Sequence, residues 1–172
     1  MQLLYFGVFD PAHTGHVRRI TAVQQRWAPS RTLIVPLDYY DGTIPGRRIV
    51  RSKMASALAD ATGTLYTDSG LAVNDLQALV ARLARAETAD TLALFDPELP
   101  PGLRAEDVDA VAAGVEIIAD TALALPTGLP DRSSVQRLIR DDHAAWQDKV
   151  VGGVAAMVTQ FGLYGWSPRQ SW

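Results

Sequence analysis

Hydrophobic residues recur along this chain in two alternating patterns. Short continuous apolar runs bounded by glycine or proline are typical of buried strands, and longer stretches with apolar residues at helical spacing are typical of helices. The predicted strands are residues 3–6, 32–35, 64–67, 91–95, 115–118 and 121–125. The predicted helices are residues 14–27, 49–61, 73–86, 133–140 and 144–161.

This order of elements predicts an α/β fold, with a parallel sheet covered by helices on both faces. Such sheets bind ligands in the crevice beyond the carboxyl ends of their strands, so functional residues are expected just after the strands. The length suits one domain, which we assign to residues 1–165, followed by a short C-terminal tail over residues 166–172. The polar, proline-rich stretch 96–109 is expected to be a loop.

Composition narrows the class of protein. Of 172 residues, 48% are hydrophobic and 20% charged, a globular mixture that excludes a disordered chain. The formal net charge of -3 disfavours a general nucleic-acid binder. The absence of cysteine excludes disulfides, thiolate metal sites and a cysteine nucleophile. With no apolar run of about 18 residues and no basic leader, we expect no membrane span and a cytoplasmic protein.

A segment rich in glycine and histidine joins the first predicted strand to the first predicted helix. It reads Gly7-Val8-Phe9-Asp10-Pro11-Ala12-His13-Thr14-Gly15-His16. A helix N-terminus attracts anions through its unpaired N–H groups and its dipole, and imidazoles there donate hydrogen bonds to phosphate oxygens. Gly7 and Gly15 would let the backbone approach a phosphate closely. A plainer interpretation is two surface histidines at a helix start.

A second segment, rich in serine and arginine, opens the predicted helix near the C-terminus. It reads Asp131-Arg132-Ser133-Ser134-Val135-Gln136-Arg137. Ser133 is predicted to be the N-cap, and Arg137 lies four residues on, so it shares a helix face with Ser133. A hydroxyl, exposed N–H groups and a guanidinium would then converge on one anion. The alternative is an ordinary serine-capped helix with solvated arginines.

The two segments together resemble the signatures of the His-x-Gly-His nucleotidyltransferase superfamily, above all of the nicotinate- and nicotinamide-nucleotide adenylyltransferases. The family's Ile-Ser-Ser-Thr-x-Ile-Arg motif, matched at Arg137, places Ser133 on its second serine and Ser134 on its threonine. Gly162-Leu163-Tyr164 then stands near the family's closing Gly-Leu-Tyr. The resemblance implies a Rossmann-like, doubly wound fold and transfer of a nucleotidyl group from ATP to a phosphate-bearing acceptor, with release of pyrophosphate.

The resemblance also implies a role for each matching residue. His13 and His16 would be catalytic, binding the triphosphate and stabilising the transition state through orientation and electrostatics. Further residues would bind the nucleotide and its phosphates: Gly7, Val8, Phe9, Asp10, Gly15, Ser133, Ser134 and Arg137. Mg²⁺ would arrive with ATP, held by the triphosphate and water rather than by a metal site of the protein.

The acceptor side of the resemblance is weaker. Arg51 and Met54 match an Arg-x-x-Met stretch at a family helix start, and Arg51 belongs with Arg47 to a basic cluster that would attract an acceptor phosphate. Tyr39 or Tyr40 would stack on a ring, and Asp96 is the surviving aspartate of the family's Gly-x-Asp after the fourth strand. A solvated helix start and tyrosines used for packing are the alternatives.

The chain also departs from the family pattern, at Phe6, Val8, Leu94 and Arg132. Three hypotheses follow. The first is an adenylyltransferase that uses MgATP and an acceptor such as nicotinate or nicotinamide mononucleotide. The second is a nucleotide-binding homologue with weakened catalysis, and the third is a related transferase with an unusual acceptor. None of them requires a nucleic acid or a membrane as partner.

Overall fold

The computed structural model describes residues 1–37, 48–68, 75–86, 90–99 and 102–167. Within these residues, five strands form one sheet in the order β3-β2-β1-β4-β5, and all neighbouring strands are parallel. The strands are β1 Gln2–Gly7, β2 Arg31–Pro36, β3 Leu65–Tyr66, β4 Thr91–Phe95 and β5 Glu116–Ile118. The chain first extends the sheet to one side of β1 and then to the other. The carboxyl ends of β1 and β4 therefore form the switch point at which such sheets bind ligands.

Helices cover both faces of this sheet. The α-helices of the described residues are α1 Thr14–Trp27, α2 Arg48–Thr62, α3 Leu76–Arg85, α4 Ala110–Ala113, α5 Arg132–Arg140 and α6 Val154–Phe161. Short 3-10 helices span Ala105–Asp107, Asp120–Leu123, Ala144–Lys149 and Leu163–Gly165. The prediction of a doubly wound, Rossmann-like α/β fold is confirmed.

The continuous apolar run of β1 has a simple cause, since the strand is buried on both faces. Leu3 and Tyr5 point into a core formed with α1, α2, α5 and α6. Leu4 and Phe6 point into a second core formed with α3 and α4. Alternate side chains of a strand face opposite sides, so a strand covered twice needs apolar residues at every position.

Two predicted elements are wrong, and both differences have physical causes. Residues 121–125, predicted as a strand, contain part of the 3-10 helix Asp120–Leu123. Arg19 anchors this turn through two hydrogen bonds of 3.1 Å to the Asp120 carboxylate, and Leu123 enters the first core. The alternating alanines and leucines of this stretch imitate a strand without joining the sheet.

The predicted helix 144–161 is divided into the 3-10 helix Ala144–Lys149 and α6. Between them the chain is extended: Val150 forms an antiparallel bridge with His13, and the Val151 N–H donates to the Ala12 carbonyl at 3.1 Å. Gly153, with φ 84°, then starts α6. The break therefore braces the segment that leads into α1.

Candidate active site

The two motif segments meet at the switch point of the sheet. The first runs from β1 into α1, and Asp96 follows β4 beside it, with its N–H donating to the Phe6 carbonyl at 2.8 Å. A Cβ atom added to Gly15 would lie 2.5 Å from the carbonyl oxygen of Pro130, which comes just before α5. The N-termini of α1 and α5 are therefore in close contact, and a larger residue than glycine would separate them.

His13 is the N-cap of α1, and one of its two imidazole nitrogens has no hydrogen-bond partner among the described residues. Nδ1 accepts a hydrogen bond from the Gly15 N–H at 3.2 Å, so the ring proton of the neutral imidazole lies on Nε2. Nε2 is buried and has no hydrogen-bond partner among the described residues. Burial, together with the neighbouring His16, lowers the pKa of His13 from 6.5 to about 2. His13 is thus a neutral donor whose N–H no described residue accepts.

His16 differs from His13, because both of its ring nitrogens are used within the protein. Nδ1 accepts from the His13 backbone N–H at 3.0 Å, which completes a capping box, and Nε2 donates to Asp96 Oδ2 at 3.0 Å. The two imidazoles stack with centroids 3.7 Å apart. In this arrangement His16 orients His13. Direct contact between His16 and a triphosphate stays a prediction, and it would require His16 to leave one of these partners.

Asp96 is the buried centre of this network and is only 5% exposed. Its Oδ2 accepts from the Tyr5 hydroxyl and from His16 Nε2, both at 3.0 Å, and its Oδ1 accepts from the Glu98 N–H at 2.9 Å. Burial alone would raise the pKa of this carboxyl, but His16 and the Glu98 N–H hold it well below its usual range. Asp96 is therefore ionised, and its charge fixes His16 in place.

The other residues of the first segment are buried under the histidines. Val8 and Phe9 are 2% and 1% exposed, and Phe9, with φ 53°, packs its ring edgewise on Tyr5 and His16. A Cβ at Gly7 would lie 2.8 Å from the Phe9 ring. The glycine is needed for this packing, a reason that the sequence analysis missed. Whether this backbone also contacts a phosphate stays a prediction.

Asp10 ties the first segment to the C-terminal part of the chain. The Tyr164 hydroxyl donates to the Asp10 carboxylate, and burial together with that charge raises the pKa of Tyr164. Gln136 Nε2 on α5 donates to the Asp10 carbonyl at 2.7 Å. Tyr164 lies in the Gly-Leu-Tyr tripeptide that the sequence analysis noted. Gln136 belongs to the second motif segment, but the sequence analysis gave it no role.

The start of α5 differs from the prediction in one respect. The N-cap is Asp131, not Ser133: Asp131 Oδ1 accepts from the Ser134 N–H at 2.6 Å, and Ser134 Oγ accepts from the Asp131 N–H at 3.2 Å. The aspartate reaches the third helical N–H, so the helix starts one residue earlier. The Ser134 hydroxyl is occupied by this capping box. Ser133 and Arg137 are exposed on the surface of α5.

Arg132, the first residue of α5, was noted in the sequence only as a departure from the family. Its backbone N–H donates to the Glu98 carboxylate at 2.6 Å. Its guanidinium nitrogen Nη1 is buried and has no hydrogen-bond partner within the described part of the chain. The structure thus places a second donor, unpaired among the described residues, near the joined helix N-termini.

The residues predicted for the acceptor side lie in different places. Tyr39 and Arg47 are outside the described residues. Arg51 is on α2 and only 5% exposed, so it does not belong to a solvated helix start, and its positive charge acts on Tyr164. Asp96 is in the histidine network described above.

A cavity of 510 Å³ opens beyond the carboxyl ends of β4 and β5. Its lining combines apolar side chains such as Leu103 and Val108 with polar ones, including Asp96, Arg104 and Glu106. Its volume is in the range of small-molecule sites. The sequence predicts a loop here, and no local pattern in it indicates a cavity.

Among the described residues, no three His, Asp or Glu side chains are grouped so that they would hold a metal ion. No helix in the ranges described above is both long and apolar enough to span a bilayer.

Comparison with known proteins supports the fold. No family model matches the sequence, and no curated protein matches it either. Among solved structures, the chain is similar to Plasmodium falciparum nicotinic acid mononucleotide adenylyltransferase complexed with NaAD. The TM-score is 0.57 at 9% sequence identity, over 96% of this chain and 98% of the other. This chain therefore has a Rossmann-like fold of the kind found in that nucleotidyltransferase.

Proposed function

We propose that this protein is a nucleotidyltransferase that moves AMP from MgATP to a phosphate-bearing acceptor such as nicotinate or nicotinamide mononucleotide. An acceptor phosphate oxygen would bond to the α-phosphorus of ATP, and the bond from that phosphorus to the bridging oxygen would break, releasing pyrophosphate. The observation that carries the proposal is the Nε2 of His13, which is buried where the N-termini of α1 and α5 meet and has no partner among the residues that the structure describes.

Electrostatics favour an anion at this point. Two helix N-termini contribute partial positive charge, and backbone N–H groups there are suited to phosphate oxygens. His13 adds an N–H that is neutral at physiological pH, because its pKa is lowered to about 2. Such a donor is preorganised, and it would stabilise charge that grows on a phosphate oxygen during transfer.

The surroundings of His13 keep it in place during such a reaction. Asp96 holds His16, and His16 accepts from the backbone N–H of His13 while stacking on its ring. Val150 also pairs with the backbone of His13 in an antiparallel bridge. His13 is thus held by a hydrogen bond, by ring stacking and by backbone pairing, which limits the reorganisation that catalysis would need.

The substrates fit the remaining features. The cavity beside Asp96 has room for a nucleoside, and the Plasmodium neighbour was solved in complex with a nucleotide, NaAD. Mg²⁺ would enter with ATP and neutralise part of the triphosphate charge. A cytoplasmic location is part of this proposal.

The test is pyrophosphate release from MgATP with nicotinate mononucleotide, nicotinamide mononucleotide and phosphopantetheine as separate acceptors. The decisive variant is His13→Asn, because asparagine keeps an N-cap acceptor for α1 while removing the Nε2 donor. His143→Asn is the matched control at an exposed histidine that caps a 3-10 helix. We expect release with one acceptor, lost in His13→Asn and kept in the control. Equal release by His13→Asn would contradict the mechanism.

A second candidate function is nucleotide binding without efficient turnover. It is favoured by His16, whose two nitrogens are both used by the protein, and by Val8, where the family often has a hydroxyl. Tight ATP binding without pyrophosphate release on any acceptor would support it. Release with an acceptor outside the panel would instead support a related transferase.

A further inference from the structure

We propose that Arg132 is the phosphate-binding side chain of α5, acting together with His13 in place of the serines that follow it. The inference deepens the proposed function by assigning the residues that hold the triphosphate, and it rests on that function only for the identity of the nucleotide. Ser133, Ser134 and Arg137, the residues that the family resemblance favours, then have no direct part in binding.

The first observation is the direction of the side chains on α5. Residues four apart in a helix share a face, so Arg132 and Gln136 project from the same side of α5. Gln136 donates to the Asp10 carbonyl at 2.7 Å, which shows that this side faces the segment between β1 and α1. Ser133 and Arg137 lie one residue further round the helix and are exposed.

The second observation is the unused donor of Arg132 itself. Nη1 is buried, yet no described residue accepts a hydrogen bond from it. Buried donors without partners are rare in folded proteins, and a bound ion or a catalytic role is among their recognised explanations. The backbone of Arg132 is held independently, because its N–H donates to Glu98 at 2.6 Å. The position of the Arg132 backbone therefore does not depend on a partner for Nη1.

The third observation is independent of α5 and comes from His13, which is 1% exposed. Its Nε2 is likewise buried without a partner in the ranges that the structure describes. The His13 ring atom Cε1 and the Pro130 carbonyl oxygen both lie within 3 Å of the position of a Gly15 Cβ, at 2.9 and 2.5 Å. His13 thus lies against the chain two residues before Arg132, and the charge of Arg132 contributes to the lowered pKa of His13.

These two groups select a class of ligand. A guanidinium and a neutral imidazole N–H offer only donors at these atoms, and the guanidinium is positively charged at every physiological pH. Their common ligand is therefore an anion with several acceptor oxygens, and a polyphosphate has this chemistry. The serine hydroxyls do not compete for it, since Ser134 Oγ already donates to the Asp131 carbonyl at 2.9 Å.

The test is calorimetric titration of the full chain with inorganic tripolyphosphate and with MgATP. Arg132→Gln removes the charge but keeps the backbone N–H that Glu98 binds, and Arg137→Gln is the matched control on the same helix. We expect Arg132→Gln to weaken tripolyphosphate binding about tenfold, as for a lost charge-assisted hydrogen bond, and Arg137→Gln to bind within about twofold of the parent chain. Arg132→Lys is expected to be intermediate, because it keeps charge without the planar fork.

Thermal unfolding shows whether each variant is folded. If Arg132→Gln does not fold, Arg132→Lys and His13→Asn decide instead: each should weaken binding, and together by less than the product of their separate effects, because both contact one anion. The proposal is overturned if tripolyphosphate does not bind the parent chain, if Arg132→Gln binds it as the parent does, or if Arg137→Gln loses as much.

This test is separate from the test of turnover. Binding through Arg132 without pyrophosphate release on any acceptor would leave the present inference standing while the proposed transferase function fails. Turnover that is unchanged in Arg132→Gln would support the transferase and overturn the assignment of Arg132.

Discussion

Replacement of His13 by asparagine should change how the stability of this protein depends on pH. In the folded state burial and His16 lower the pKa of His13 from 6.5 to about 2. The unfolded chain takes up a proton on this residue as the pH falls below 6.5, and the folded chain does not. The contribution of neutral His13 to the free energy of unfolding is therefore fully present above pH 6.5 and is lost as the pH falls below it.

The magnitude follows from this difference in protons bound. Each pH unit costs about 1.4 kcal/mol for one extra proton on the unfolded chain, so the loss between pH 6.5 and pH 5 comes to about 2 kcal/mol. His13→Asn removes this pH-dependent contribution while keeping a capping side chain, and the packing lost with the buried ring should cost the same at every pH of the series.

Urea denaturation at pH 7.5, 6.5, 5.8 and 5.0 measures the effect. The free energy of unfolding of the parent chain should fall more steeply with decreasing pH than that of His13→Asn. The exposed-site variant His143→Asn serves as the control and should keep the parent's slope. Equal slopes for the parent and His13→Asn, or a flattened slope in the control alone, would refute the conclusion that His13 is buried in its neutral form.

Two further substitutions test the contacts that build the site. Gly15→Ala places a methyl group 2.5 Å from the Pro130 carbonyl oxygen, so we expect the free energy of unfolding in urea to fall by about 2–3 kcal/mol and nucleotide binding to weaken. Gly152→Ala is the control and should be nearly neutral, because a Cβ there has nothing within 4 Å. In Asp96→Asn, the amide NH₂ would face at least one of the three groups that donate to Asp96, so the substitution should cost about 2–3 kcal/mol of unfolding free energy at pH 7. The difference should shrink below pH 4, where the parent's carboxylate loses its advantage. Asp109→Asn, at an exposed helix cap, is the control, and an Asp96→Asn variant as stable as the parent would contradict the assigned network.

The layers of the fold were predictable from the sequence because they depend on local patterns. The helix predicted over residues 14–27 agrees with α1 in both bounds, since apolar spacing and terminal residues act within a few positions. The apolar run of β1 likewise indicated a strand covered on both faces. The break between residues 149 and 154 was not predictable in this way, because it depends on pairing of Val150 with His13, far away in the chain.

The candidate site was predictable in its location but not in its internal roles. The histidine motif after β1 and the charged start of α5 both indicated an anion site, and the structure joins them at Gly15 and Pro130. The partners of His16 and Arg132 lie after β4, so no local pattern shows that Asp96 accepts a hydrogen bond from His16 or that Glu98 binds the backbone N–H of Arg132. Nor does a local pattern show that Nη1 of Arg132 has no partner among the described residues. Residues of the same motif therefore differ in the hydrogen-bond donors that they can present to a ligand.

The most direct measurement is a MgATP titration followed by the imidazole nitrogen resonances of the chain, which contains three histidines. The account predicts that His13 is neutral with its proton on Nε2 before ATP is added, and that this Nε2–H resonance moves as ATP binds, in the manner of a new hydrogen bond to an oxygen acceptor. His143 should be unaffected. Binding of ATP with no change at His13 Nε2 would contradict the account, because the phosphates would then bind somewhere other than the joined N-termini of α1 and α5.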